Sequence, residues 1–441
     1  MAHDERSPKP HTHALKRELR VFGATMMGLG SIVGTGIFVS IALAAEAAGP
    51  AVVIAIALAA LVATCNALSS AQLAANHPTS GGTYEYGYVY LRPWFGFAAG
   101  WMFLCAKSAS AATAALGFAG YTLIALGHNH TQWRTPIALA AVIILVAVVL
   151  GGMRRSSRMN IAIVSITLAS LAFFIAAGAP DALAHGAANF TPFFGAGDRA
   201  LPRLLEATAL MFVAYTGYGR IATLGEEVHD PRATIPRAII ITLLVSMALY
   251  LAVGAVGVAA AGIDGFAHTG AEKAAPLAVV ARGFGIPAAG LILSIGAVTA
   301  MLGVLLNLIL GLSRVLLAMG RRGDAPSIFA RIDAAGRAPA AATIAVGIVI
   351  AAITAVGSIR LAWSFSAFTV LVYYAITNLA AIRLPREQRL YPRWIAWAGL
   401  AACLGLAWWV EPRAWMLGAA VLGIGLAGRW LLRTAQRTQR A

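Results

Sequence analysis

Two glycine clusters and two cations set in apolar sequence are the residues that could do chemistry. Gly34-Thr35-Gly36 interrupts the uncharged run VFGATMMGLGSIVGTGIFVSI at 21–41. Gly217 and Gly219 interrupt a second run at 201–224, and Arg220 follows at once. Glycine costs a helix interior roughly 1 kcal/mol relative to alanine, so each cluster can open a helix. At membrane depth, opened backbone is tolerated only where it is buried in protein or lines a cavity. The freed amides can hold a carboxylate and the freed carbonyls a cation. Close packing of helices through small residues is the competing reading of the same glycines.

Lys107 lies inside FLCAKSASAATAALGFAGY, 13 residues beyond Trp94. That is roughly 20 Å of helix, too deep for easy snorkelling. An ion there costs several kcal/mol unless it is hydrated or paired, which points to a functional role. Partial snorkelling along a wet cleft is the alternative. Arg220 stands between the second break and an acidic exit, Glu226, Glu227 and Asp230. Its structural alternative is a pair with Glu226 or Glu227, which needs a loop or a distorted turn. The fifth span carries Asn160, Ser165, Thr167 and Ser170. Such hydroxyls often bond back to their own helix.

These residues need helices to hold them. The chain has 441 residues, 60% hydrophobic and 11% charged, against about 25% charged in soluble domains. The expectation is an all-α polytopic membrane protein with twelve transmembrane helices. The spans read as 21–45, 51–75, 94–125, 135–150, 161–177, 201–224, 238–261, 287–319, 338–356, 361–382, 395–410 and 415–432. No cleavable signal peptide is evident in the polar head 1–20. With the N-terminus inside, 23 Lys/Arg fall on the cytoplasmic side and seven on the outer side. The positive-inside rule then places both termini in the cytoplasm and the protein in the cell (inner) membrane. The net charge of +16 sits in short clusters between spans, facing lipid head groups rather than nucleic acid. Cys65, Cys105 and Cys403 lie far apart in apolar segments and read as packing residues.

The connector at 77–101 holds Tyr84, Tyr86, Tyr88 and Tyr90. It reads as a short amphipathic segment with an interfacial aromatic belt, with Glu85 available to a nearby arginine. Asp324-Ala325-Pro326 reads as a helix stop. Tyr373, Tyr374 and Asn378 read as packing and helix–helix hydrogen bonds, and the last two spans as generic.

Four stretches carry a resemblance: SIVGTGIF at 31–38, the GG-x-Y element after Pro78, GEEVHDPRATIP near the sixth-span exit, and SRVLLAM in span eight. Together they resemble the amino acid–polyamine–organocation transporter superfamily, and most of all its bacterial sodium-independent amino acid permeases. The resemblance implies a five-plus-five inverted repeat, 21–180 and 200–382, with broken helices 1 and 6 facing each other. The domain layout is then a cytoplasmic tail 1–20, a ten-helix core 21–382, two further helices 395–432 and a tail 433–441. It also implies that Ser31, Gly34, Thr35 and Gly36 meet the substrate carboxylate. Tyr215, Gly217, Tyr218 and Gly219 then surround its amino group and side chain, with Phe212 or Tyr215 as an aromatic gate. Many proton-coupled relatives keep a lysine in span five where this chain has Thr167. Coupling would then fall to Lys107, or to an ion site using Thr167, or be absent.

The expected function is a permease that moves amino acids by alternating access, with protons as a candidate coupling ion. Polyamine or organocation exchange and uncoupled amino acid exchange are the alternatives. A channel would need a continuous polar lining. An enzyme would need a cluster of His, Asp or Cys at membrane level, and the nine histidines are scattered. No phosphate-binding loop of the G-x-x-x-x-G-K-[ST] type is present. No cofactor or metal is expected.

Overall fold

The computed structural model describes residues 19–77, 81–128, 131–151, 157–194, 199–222, 228–268, 274–332 and 339–438. Within them the chain is helical, and the only β pairing is an isolated parallel bridge between Leu19 and Val228. The first half contains α1 (Val21–Ile32), α2 (Ile41–Ala48), α3 (Val52–Asn76), α4 (Thr83–Tyr90), α5 (Pro93–Ala125), α6 (Arg134–Leu150) and α7 (Ser157–Asn189). Next come α8 (Ala200–Tyr215), α9 (Gly219–Ala222), α10 (Pro231–Ile263), α11 (Pro276–Arg282) and α12 (Ala289–Arg321). The chain continues through α13 (Ala340–Val356), α14 (Ile359–Ile382), α15 (Arg393–Trp409) and α16 (Pro412–Thr438).

Local sequence sets several of these boundaries. Pro93, Pro231, Pro276 and Pro412 open their helices, a position where the missing N–H costs nothing. Gly357, at φ 74°, ends α13 in the left-handed conformation that glycine adopts without strain. Among the described residues, eight apolar helical stretches are long enough to cross a bilayer. One of them, 21–76, contains the first break and a turn at Gly49-Pro50 as well as α1, α2 and α3. The chain is therefore a multi-pass helical membrane protein.

Burial separates the centre from the rim. In the most apolar windows of α5 and α14, 78% of residues are buried, against 22% for 131–150 and 17% for 412–434. Helix α5 packs along α12 and α14, while α10 packs along α7 and α3. The central helices can therefore carry polar groups, and the rim helices face outward with side chains such as Ile143 and Ile424.

The tyrosine connector differs from the expected lipid-facing belt. It forms α4, with Tyr84 and Tyr86 almost fully buried. The reason is Asp324, read from sequence as a helix stop. Its buried carboxylate accepts hydrogen bonds from Tyr84 at 2.9 Å, from Tyr88, and from Arg429 at 3.0 Å. Arg433 adds a bond at 3.2 Å. Glu85 does meet an arginine, Arg322, at 2.7 Å. Four phenols and guanidiniums on one acid pull α4 inward, so the last helix is more than generic.

Candidate functional site

The first break falls where Gly34-Thr35-Gly36 placed it. Helix α1 ends at Ile32, and Val33 leaves helical geometry at ψ 89°. A π-helical turn, Gly36–Ser40, then runs into α2. Ile37 and Phe38 both donate their amides to the Gly34 carbonyl at 3.1 Å. Thr35 is buried, and its hydroxyl has no hydrogen-bond partner among the described residues. Ser31 donates its hydroxyl back to Met27 O at 3.0 Å.

The second break mirrors it. Helix α8 ends at Tyr215, a 3-10 turn spans Thr216–Tyr218, and α9 resumes at Gly219. The two breaks touch. A side chain on Gly217 would overlap the Ser31 carbonyl, which is backbone and cannot rotate away. A methyl on Gly36 would lie 2.6 Å from Ala214 Cβ and 2.8 Å from the Tyr250 hydroxyl. These two glycines are therefore contact surfaces as well as helix openers.

Tyr250, from α10, fastens the junction. Its hydroxyl lies 2.8 Å from Ile32 O and 3.2 Å from Ala214 O, one carbonyl beside each break. Its ring packs on Tyr215 with centroids 4.9 Å apart. Phe212 meets Tyr374 edge-on at 5.7 Å, and Tyr218 lies 5.4 Å from the same ring. The residues 31, 34–36, 212, 215 and 217–219 therefore gather at one junction. Sequence reasoning missed Tyr250, because a tyrosine in an apolar span reads as packing.

Lys107 points at this junction. Its ammonium donates to Thr216 Oγ1 at 2.8 Å. No carboxylate among the described residues pairs with it. Tyr374 donates to the Thr216 carbonyl at 3.2 Å. Thr167 lies apart from these bonds. It is buried and returns its hydroxyl to Ile163 O at 2.8 Å. Arg220 sits in α9, directly after the break. The expected Arg220 partners, Glu226 and Glu227, lie outside the described residues.

At one end of the bundle, Arg360 at the start of α14 bonds Glu46 of α2 at 2.8 Å and Glu206 of α8 at 3.4 Å. This triad ties α2 and α8 to the central helix α14. Elsewhere, His229 donates its amide to Leu19 O at 2.9 Å. That bond straps the entry of α1 to the segment that follows α9.

Comparison with known proteins bears on the family of the chain. The amino acid permease family model matches residues 23–431. An uncharacterized transporter of Mycobacterium tuberculosis is 40% identical over 98% of this chain and 95% of its own. The branched-chain amino acid permease BcaP of Bacillus subtilis is 29% identical over 89% of this chain and 86% of its own. Cationic amino acid transporter 4 of Homo sapiens is 30% identical over 85% of this chain and 61% of its own.

Proposed function

This chain belongs to the amino acid permease family, and we propose that it carries a zwitterionic amino acid across the cytoplasmic membrane by alternating access. As a member of that family it is a transporter, not an enzyme. The observation that carries the proposal is the seating of Gly217 on the Ser31 carbonyl, which brings the two breaks into contact. Amides at 34–36 would hold the substrate carboxylate, as opened helix starts in transporters hold anions. Carbonyls at the end of α8 would face its ammonium. Phe212, Tyr215 and Tyr218 would wall the side chain, with Phe212 or Tyr215 closing over it.

Charge favours a substrate without a net positive charge. Lys107 is bonded into the junction and Arg220 lies beside it. A second cation there meets repulsion that low-dielectric surroundings strengthen. The relative named for branched-chain amino acids agrees with an apolar side-chain wall. The second reading is a cationic substrate, including a polyamine or organocation in exchange. The rings of Phe212, Tyr218 and Tyr374 offer π faces to a cation, and the human relative is named for cationic amino acids.

The wider layout belongs to the same proposal. It has twelve spans with both termini cytoplasmic, a core at 21–382 made of repeats 21–180 and 200–382, and two added helices at 395–432. In it, Lys107 serves coupling to protons, Arg220 links the second break to the inner gate through Glu226, and Thr167 has no ion to hold. Uptake of a labelled branched-chain amino acid into proteoliposomes, competed by each of the twenty amino acids and by polyamines, tests the substrate. Inhibition by neutral amino acids is expected. Inhibition confined to arginine, lysine or polyamines would overturn it.

A further inference from the structure

Thr216 was no candidate from sequence, yet three groups converge on it. Its hydroxyl donates to Val213 O at 2.7 Å, one turn back at the end of α8. A hydroxyl has one proton and two acceptor lone pairs, so that bond leaves Thr216 Oγ1 as an acceptor only. The ammonium of Lys107 fills that role at 2.8 Å. The Thr216 carbonyl takes the Tyr374 hydroxyl from α14 at 3.2 Å. The next residue, Gly217, rests on the first break.

We propose that Thr216 is a positioning residue for transport: it orients the Lys107 ammonium and fastens α5 to the span-six break, so that lysine and break move together. The proposal rests on the reading of this junction as the transport site. Three features make the pairing specific. The hydrogen bond has an ionised donor, the stronger kind. It supplies the partner that a cation at this depth requires. One turn beyond Lys107, Ser110 bonds Ser366 of α14 at 2.8 Å. Helices α5 and α14 therefore form a fixed frame that grips Thr216 from two sides. A threonine that only closed the end of α8 would need the Val213 bond and no more.

A double-mutant cycle tests this. Wild type, Lys107→Gln, Thr216→Val and the double variant are compared by amino acid counterflow in proteoliposomes and by thermal melting of the purified protein. Thr216→Val keeps the shape and removes the hydroxyl. The expected result is a loss of at least tenfold in maximal counterflow for each single variant, with KM changing less. The double variant is expected to be no worse than either single one. Thr216→Ser should recover most of the lost rate. Losses that multiply in the double variant, or a Thr216→Val protein with wild-type counterflow, would overturn the proposal. Should Thr216→Val fail to reach the membrane, Thr216→Ala takes its place in the cycle. If wild type shows no amino acid counterflow, the transport reading falls, and the melting cycle decides the pairing alone: non-additive shifts support it and additive shifts overturn it.

Discussion

Asp324 and Arg429 form an ion pair 105 residues apart in sequence, Oδ1 to Nε 3.0 Å, with the carboxylate fully buried and the guanidinium 8% exposed. The pair joins the end of α12 to α16, and Tyr84 and Tyr88 bring in α4. Removing one partner of a buried pair leaves an uncompensated charge and costs roughly 3–5 kcal/mol. Asp324→Ala, which strands the buried Arg429, should therefore lower the melting temperature clearly, and Arg429→Ala should lower it less, because Arg433 still reaches Asp324 at 3.2 Å. Arg322→Ala breaks a more exposed pair with Glu85, and exposed pairs are worth about 0–1 kcal/mol. Fluorescence-detected melting of the three variants checks this. Equal melting of all three would refute the hub.

The same junction gives a pH dependence. Burial, the hydrogen bond to Asp324 and that carboxylate's charge push the Tyr88 phenol up to about 12 from its usual value near 10. The folded protein thus holds this proton more tightly than the unfolded chain. The contribution is complete below pH 10 and is lost as the pH rises through about 12. Melting temperature should fall more steeply between pH 9.5 and pH 11.5, as on the order of one phenol per chain titrates, in wild type than in Tyr88→Phe. Identical slopes would remove Tyr88 from the hub.

Lys107 is the group proposed for proton coupling. Wild-type uptake in sodium-free proteoliposomes should rise with an inward proton gradient, by several-fold. Lys107→Gln should lose that stimulation and retain residual exchange. A wild type that ignores protons but requires sodium would contradict the lysine mechanism and return attention to Thr167. Indifference to both ions would identify an uncoupled exchanger.

The glycine breaks were legible in the sequence because each cluster sits inside an otherwise unbroken apolar run, where glycine has a local cost. The place of Lys107 in the middle of an apolar helix was legible by counting residues. Its partner was not, since a threonine in an apolar helix usually bonds only its own backbone, as Thr167 does. Asp324 resembled an ordinary helix stop. Arg429 and Arg433 merged with the cytoplasmic arginines, and Arg360 counted as an outer-loop charge. Each of these pairs spans more than 100 residues, and no local pattern signals a contact at that separation. The tyrosines of the connector read as an interfacial belt, because the buried carboxylate that draws Tyr84 and Tyr88 inward comes from another part of the chain.

Arg220 should matter more than Arg232. Arg220 adjoins the second break in α9, whereas Arg232 lies in the first turn of α10 beyond the acidic exit. Arg220→Ala should reduce transport at least tenfold at comparable expression, and Arg232→Ala less than twofold, since most surface changes stay within about 0.5 kcal/mol. Near-wild-type transport by both would remove Arg220 from the gate.

The central claim is that the two helix breaks form one substrate site, and glycine substitution tests it most directly. Gly217→Ala would force a methyl into the Ser31 backbone, whereas the same change at Gly311 of α12 meets open space. Binding of a labelled neutral amino acid to the purified protein is the measurement. Saturable binding by wild type and Gly311→Ala, with loss of at least tenfold in affinity for Gly217→Ala at an unchanged fold, is the predicted result. Wild-type affinity and uptake in a folded Gly217→Ala protein would contradict it.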